Sequence, residues 1–399
     1  MKFLQLTNKV PYPPRDGGAI ASLTLARELA KAGHEVVMLA MNTSKHFLAD
    51  QLMPDLGFRL EMVPVDTSIR WTGALKNLLL SRLPYNAVRF ISEDFRLKLK
   101  EILTREKFDF ILLDQIYTAL YINDIRAITN TPLILRAHNI EHEIWSRAAK
   151  SERGFKRIYL GILARRIYRY ELSVMNSYDA LVPITSRDAG HFMNMGNRKP
   201  CHVLPAGMDL REMPAAAPGP FVPSVAHLGA LDWLPNRNGI LWFIRMVWPM
   251  VRKEIPDIEF HLAGRNAPNG FAAEVSAPGV VFHGEVDSSD SFIRQHPLFI
   301  VPVFSGSGMR IKMLDYMAAG RATVATTIGA EGIPVATGAE AFITDNPDEF
   351  ARCLVRLATD AGLCARIGMN ARNFVSNNFD NSLLTARFTE FLKTIDHSI

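Results

Sequence analysis

Residues 305–321 read S-G-S-G-M-R-I-K-M-L-D-Y-M-A-A-G-R. A glycine–serine turn ahead of a helix lets backbone N–H groups approach an anion, and the helix N-terminus adds its dipole. Arg310 and Lys312 place positive charge beside that turn, as a diphosphate requires. Asp315 is the single carboxylate of the following apolar run, and it can accept two hydroxyl hydrogen bonds of the kind a ribose offers. In isolation the same residues would also fit a plain turn followed by a solvated helix face, so the surrounding elements decide the reading.

A second constellation is H-N-I-E-H, residues 138–142, which follows the strand-like run T-P-L-I-L-R-A. Polar residues at the C-terminal end of a parallel strand occupy the ligand edge of an α/β sheet. His138 is therefore a candidate for substrate contact, and Glu141 for orienting His138 or binding an acceptor. Two histidines four apart approach the pattern of a zinc helix, but the order is not H-E-x-x-H and no third ligand is evident. No metal is expected.

The elements around these residues alternate. F-L-Q-L-T reads as a buried strand, followed by a Pro/Gly loop, a helix over 19–32 closed by Gly33, and the strand H-E-V-V-M-L-A. F-D-F-I-L-L-D and T-P-L-I-L-R-A-H continue the alternation, which implies a mostly parallel sheet covered on both faces. A Pro- and Ala-rich stretch at 209–223 reads as a linker. The pattern then restarts with S-V-A-H-L-G, I-E-F-H-L-A-G, V-V-F-H-G, L-F-I-V-P-V and A-T-V-A-T. The fold class is α/β, with two doubly wound Rossmann-like domains: 1–204, and 205–381, with a last helix at 382–399 packing back on the first. Two such domains place ligand sites at strand ends on either side of a cleft.

At 399 residues, with 48% hydrophobic and 21% charged, the chain is a folded protein too long for one ordinary core. Its apolar opening is too short for a signal peptide, and G-I-L-W-F-I-R-M-V-W-P-M-V falls short of a bilayer span. Three cysteines without a C-x-x-C pair fit reduced thiols, and these features together point to the cytoplasm. A formal charge of +5 favours acidic partners.

The run P-V-F-S-G-S-G-M-R-I-K-M-L-D-Y-M-A-A-G-R-A-T-V-A-T resembles the signature of family 4 glycosyltransferases of the GT-B fold. In that family an acid, seven other residues and a second acid precede A-M-A-x-G-x-P-V-V. V-L-P-A-G-M-D at 203–209, P-P-R-D-G-G at 13–18 and F-H-L-A-G at 260–264 resemble further family segments in the same order. The resemblance implies a retaining transfer of sugar from a nucleoside diphosphate sugar to a saccharide or lipid-linked glycan, in bacterial surface polysaccharide or lipopolysaccharide assembly. The first domain would face the acceptor and the second would hold the nucleotide. No cofactor is implied beyond the donor itself, with a UDP-sugar as first choice.

Carried over residue by residue, Asp315 matches the acid that holds the ribose, and His138 the histidine that approaches the donor sugar. The other acid falls on Ser307, so Gly306, Ser307, Gly308 and Met309 are left to hold sugar or phosphate mainly through backbone. In G-A-L-D-W-L-P-N-R-N-G, residues 229–239, Ala230 stands where many relatives have Arg, and Asn238 where they have Lys. Gly229, Arg237 and Asn238 are therefore donor-side candidates, and Arg310 and Lys312 are expected to neutralise the leaving diphosphate instead. Gly17 and Gly18 match the N-terminal glycine loop. Gly284, Glu285 and Val286 occupy the position that holds the base. A sugar-nucleotide epimerase of the same fold is an alternative, and Ser307 and Ala230 make a nonenzymatic sugar or lipid binder another. A nicotinamide dehydrogenase is disfavoured, since no G-x-G-x-x-G follows the first strand.

Residues 146–170 carry eight basic side chains against one acidic, interleaved with aromatic and aliphatic residues. At helical spacing this makes a cationic amphipathic surface suited to an anionic membrane or a lipid phosphate at the inner face of the cell membrane. A core-facing apolar stripe with solvated arginines would read the same way. Nucleic acid is not expected, because no nucleic-acid module accompanies the patch.

Overall fold

Each apolar run becomes a strand whose successive side chains enter opposite faces of a sheet. The computed structural model describes residues 1–14, 16–49, 54–211, 221–306 and 308–396. Residues 212–220 of the linker stretch, and Ser307, lie outside them. The chain divides into two compact units, one of Met1–Gly207 with Asn381–Ile399 and one of Met208–Asp380.

The first unit contains β1 (Lys2–Thr7), β2 (Glu35–Thr43), β3 (Arg59–Val65), β4 (Phe110–Asp114), β5 (Leu133–Ala137) and β6 (Ala180–Pro183). They form one parallel sheet in the order β3-β2-β1-β4-β5-β6. Leu4 and Leu6 of β1 enter the core on one face while Phe3 enters the core on the other. Both faces are thus covered, as a parallel sheet requires. The last helix, Asn381–Asp396, belongs to this unit. Its Leu384, Phe388 and Leu392 recur every four residues and join Leu25 and Leu29 of the helix Gly17–Lys31 in one buried cluster.

The second unit contains β7 (Ser224–Leu228), β8 (Glu259–Ala263), β9 (Val280–Gly284), β10 (Leu298–Val301), β11 (Ala322–Ala325) and β12 (Phe342–Ile343). Its parallel order is β12-β11-β10-β7-β8-β9. Read from β9, this is the same winding as the first unit. In each sheet the order reverses between the first and fourth strands, β1/β4 and β7/β10, and a doubly wound sheet opens its ligand crevice at that point.

Three strands escape the sequence reading, β6 among them because it has only four residues. β3 contains Pro64, which lacks the N–H a central strand must donate, and it is accordingly an edge strand. β12 has only two residues, too few to show a period. The basic stretch is also not one helix, since Glu141–Ser151 ends before Gly154, whose φ of 59° starts the separate helix Gly154–Val174.

Backbone approaches fix the second crevice. The helix Leu234–Trp242 lies so close to the end of β10 that a Cβ on Gly239 would stand 1.7 Å from the Pro302 carbonyl oxygen. Glycine to alanine inside a helix normally gains about 1 kcal/mol. Here the clash is with backbone, and overpacking of this kind costs about 1–3 kcal/mol or more. Gly239→Ala should therefore lower stability by roughly 1–2 kcal/mol net in urea unfolding. A stabilised variant would contradict this account of the packing.

Candidate active site

In the first unit the site residues gather at the C-terminal ends of β1, β4 and β5. Asp16 caps the helix Gly17–Lys31 by accepting from the Ala19 N–H at 2.9 Å, and Lys9 Nζ holds the same carboxylate at 2.6 and 2.7 Å. Gly17 and Gly18 form the first turn of that helix. A Cβ on Gly18 would lie 3.1 Å from Gln115 Nε2 and 3.5 Å from His138 Nδ1, so the lack of a side chain keeps the imidazole edge open.

His138 is buried, and its Nε2 stands 2.5 Å from Asp114 Oδ1. Gln5 Nε2 donates to the other carboxylate oxygen at 2.9 Å, and the Arg136 guanidinium lies 4.0 Å from Oδ1. Burial alone would raise the Asp114 pKa. The His138 contact and the Arg136 charge outweigh it and hold the carboxyl well below the usual carboxylate range. An ionised carboxylate only accepts, so His138 carries its proton on Nε2 and presents Nδ1 as the other nitrogen. Nδ1 has no hydrogen-bond partner among the described residues.

Asp114 was not singled out in the sequence, yet it ends an apolar strand just as His138 follows one. It takes the orienting role considered for Glu141. Glu141 begins the helix Glu141–Ser151, and its Oε2 accepts from the Tyr117 hydroxyl at 3.0 Å. Burial raises its pKa to about 7, with Glu171 adding to the rise and Tyr117 opposing it. Glu171 in turn accepts the Glu141 N–H at 2.9 Å and holds His142 Nδ1 at 2.5 Å. Glu141 is thus a carboxyl poised to gain or lose a proton near neutrality.

In the second unit the turn after β10 carries Gly306 at φ 103° and Gly308 at φ 83°, both in the left-handed region that glycine adopts without strain. Ser307 lies outside the described residues. Arg310 precedes the helix Ile311–Ala318 and is buried, so it is not a surface cation. Its Nη1 donates to the Gly308 carbonyl at 2.8 Å, and its guanidinium lies 5.3 Å from the centre of the Trp233 ring. Glu331 Oε2 is 3.9 Å from Nη2. Met309 packs against the neighbouring apolar cluster, which also takes in Val286, Leu228 and Trp233.

In the first turn of that helix, Lys312 Nζ donates to Asn236 Oδ1 at 2.6 Å, and Asn236 Nδ2 donates to the Ala230 carbonyl at 2.8 Å. A Cβ on Gly229 would fall 2.6 Å from Nζ, so only glycine leaves the ammonium its place. Burial first, and the Arg310 charge second, lower the Lys312 pKa to about 7, while Asp315 opposes the shift. Asp315, three residues on, is raised to about 7 by burial, with Lys312 opposing. His227, behind Gly229, is fully buried and pushed down to about 3 by burial and by Lys312, so it is neutral. Its Nδ1–H donates to the Ile300 carbonyl at 3.0 Å.

Two expected donor-side residues do not join this group. Arg237 lies over the Phe271 ring at 5.7 Å and pairs with Glu274 at 3.7 Å, and Asn238 is exposed. On a helix beginning at Leu234 successive residues point about 100° apart, so only Asn236 of the three faces Lys312. Gly284, at φ 68°, ends β9 and accepts the Gly264 N–H at 2.7 Å. Glu285 after it is exposed, and Val286 turns inward. Among the described residues no group of three or more His, Cys, Asp or Glu side chains is placed to hold a metal ion.

The geometry thus offers an anion-binding corner of two cations and a glycine turn beside a carboxyl in one unit, and an acid-held imidazole beside a second carboxyl in the other. Residues 15–212 match the model of Glycosyltransferase Family 4, and residues 222–360 that of Glycosyl transferases group 1. An uncharacterised 44.6 kDa protein in the cps region of Klebsiella pneumoniae is 25% identical over 400 residues, covering 95% of this chain and 97% of that protein. Sucrose-phosphate synthase from Thermosynechococcus elongatus superposes with a TM-score of 0.71 at 15% identity over 100% of both chains. Anabaena HepE, solved in complex with UDP, gives 0.69 at 14% identity over 99% of this chain and 100% of that one. The two parallel sheets of like winding and the two matching family models make this chain a glycosyltransferase of family 4, with the GT-B fold.

Proposed function

We propose that the enzyme transfers a sugar, with retention at the anomeric carbon, from a nucleoside diphosphate sugar to a saccharide or lipid-linked glycan acceptor in bacterial surface polysaccharide assembly. The observation that carries this reading is the pair Arg310 and Lys312 beside the glycine turn, with Asp315 three residues beyond. A dianionic diphosphate needs that pair, and a ribose diol needs that carboxylate. UDP is the first choice of nucleotide, supported by the UDP complex of Anabaena HepE. The cps-region location of the Klebsiella relative supports a surface polysaccharide.

In the proposed reaction the second unit holds the nucleotide and the first offers the acceptor. The bond between the anomeric carbon and the β-phosphate oxygen breaks as the acceptor hydroxyl oxygen bonds that carbon. The departing diphosphate takes the hydroxyl proton. Charge grows on the diphosphate as it leaves, so Arg310 and Lys312 stabilise the transition state more than the ground state. Asn236 keeps the Lys312 ammonium aimed, and Gly306 and Gly308 leave room for phosphate or sugar oxygens. His138 contributes Nδ1 to a hydrogen bond with a sugar hydroxyl, its ring held by Asp114. Gly18 keeps that ring uncovered, and Gly17 precedes it in the first turn of its helix. Glu141 contributes a hydrogen-bonding carboxyl to the acceptor. Gly284, Glu285 and Val286 line the edge where backbone atoms meet the base.

The test is a panel of UDP-, GDP- and ADP-sugars incubated with and without glycan acceptors, read by nucleotide release and by the configuration of donor and product. Acceptor-dependent release with retained configuration is expected. An epimerised donor without acceptor, or binding without turnover, would overturn the reading. In the same assay Arg310→Ala and Lys312→Met should each lower turnover about 10²–10³-fold.

Donor affinity should peak near neutral pH. Above about 7 the free enzyme loses the Lys312 proton, which the diphosphate needs, so affinity falls as pH rises. Below about 7 Asp315 takes up a proton, and its grip on ribose hydroxyls weakens as pH falls. Calorimetric titration of the active UDP-sugar across this range should give a bell. Asp315→Asn should flatten its acid side and, by removing the charge that opposes the Lys312 shift, move the alkaline side to lower pH.

Asp114→Asn tests the held imidazole. The amide can donate to Nε2 and favour the other tautomer, so kcat should fall about 10–100-fold with donor affinity unchanged. Unchanged kcat would remove Asp114 from the mechanism.

A further inference from the structure

The helix Trp71–Leu80 packs beside the helix Gly154–Val174, and Arg166 ties them by donating to the Asn77 and Leu78 carbonyls at 3.2 and 2.6 Å. Ala74, Leu78 and Ile162 meet at the seam. Away from the seam both helices turn large apolar side chains to solvent. Trp71 is 86% exposed, Leu75 60% and Leu79 74%, a stripe recurring every four residues, while Phe155 is 92% and Ile158 61% exposed on the neighbouring helix. A soluble surface rarely gathers such residues on adjacent elements unless something covers them.

Charge says what covers them. Lys76, Lys150, Arg153, Arg157, Arg165 and Arg169 lie on the same two stretches and are exposed. The only acids within 66–82 and 146–170, Asp66 and Glu152, each already pair with a cation of their own stretch. A groove of about 370 Å³ between the helices Glu141–Ser151 and Gly154–Val174 is lined by Lys150, Arg157 and Arg165, with Ser146 and Tyr168. None of these three cations has an ion-pair partner among the described residues. A second copy of the chain would bring the same positive charge against this face, and the two would repel. An anionic bilayer supplies both missing partners, phosphate for the cations and an acyl boundary for Trp71, Leu75 and Phe155.

We propose that the helices Trp71–Leu80 and Gly154–Val174 together form a docking surface for an anionic bilayer, and that the Lys150–Arg157–Arg165 groove seats a lipid phosphate. The sequence points to the basic stretch, but the apolar half of the surface comes from a helix some seventy residues earlier. No described helix is long and apolar enough to cross a membrane, so the attachment lies in the interface plane.

Co-sedimentation of the whole protein with phosphatidylglycerol/phosphatidylethanolamine vesicles, and with phosphatidylcholine vesicles, tests this without donor or turnover, so its result is independent of the transfer reaction. The wild type should pellet with the anionic vesicles, not with the neutral ones, and raising salt toward about 1 M should release it. The pair Trp71→Ser with Phe155→Ser, and separately Arg157→Glu with Arg165→Glu, should each weaken partition at least about tenfold at an unchanged melting temperature. Binding indifferent to lipid charge, absence of binding, or variants that bind like wild type would overturn the proposal. So would self-association by sedimentation velocity that the same substitutions abolish, because the face would then belong to a second copy. If one double variant fails to fold, the other, together with the lipid and salt dependence of the wild type, still decides.

Discussion

The Lys312 ammonium is the constraint around which the second unit is arranged. It is half-buried, sits beside the Arg310 charge, and has a neutral amide oxygen as its close partner at 2.6 Å. A cation so placed is held at a cost, visible in a pKa brought down to about 7. The neighbours accommodate it. Gly229 omits the Cβ that would occupy its place, Asn236 is braced by the Ala230 carbonyl, and His227 stays neutral behind it. Tyr316, next to Asp315, both accepts the Leu228 N–H and donates to its carbonyl, so the helix that carries Lys312 is pinned to the end of β7. In the proposed donor site such a corner would be completed by an anion arriving from solution.

Both units wind their strands in the same order, yet the two crevices hold opposite chemistry. At the ends of β4 and β5 the buried groups are Asp114 and His138, with Glu141 and Glu171 close by, and the charge is matched locally through hydrogen bonds. At the ends of β7 and β10 stand the buried Arg310 and the half-buried Lys312, with one half-buried carboxyl, Asp315, that is itself inclined to be neutral. The shared winding decides where side chains converge. What they do there depends on single residues at strand exits, which is why fold alone does not fix an activity.

Much of this was legible before any coordinates. The buried parallel strands announce themselves as short apolar runs bounded by Pro, Gly and polar residues, and the two sheets follow from their alternation with helices. β3 was hidden by Pro64, whose cost only an edge position removes. In the site, Arg310, Lys312 and Asp315 could be read because they are spaced along one helix that follows a glycine turn. Asn236 could not be chosen over Asn238, because the choice depends on where the helix begins, and a shift of two residues turns a side chain by more than half a circle. Asp114 was passed over because an acid ending a strand is common, and its bond to His138 joins two strands that only the sheet brings side by side.

Ser307 gains its meaning from the same electrostatics. The family pattern places an acid there, three residues before Arg310 and five before Lys312. A carboxylate near a cation attracts it and favours its charged form. It would raise the Lys312 pKa and compete with the diphosphate for both cations. The chain also lacks the Arg that many relatives carry at position 230, and Arg237 is engaged by Glu274. In the proposed donor site, with the usual cations gone from one loop, Arg310 and Lys312 would carry the neutralisation of the phosphate, and a serine at 307 adds no carboxylate to the Glu331 that already stands near Arg310. On the proposed reading the two departures from the family pattern offset each other: losing the acid returns to Arg310 and Lys312 a share of the positive charge that losing the arginine took away.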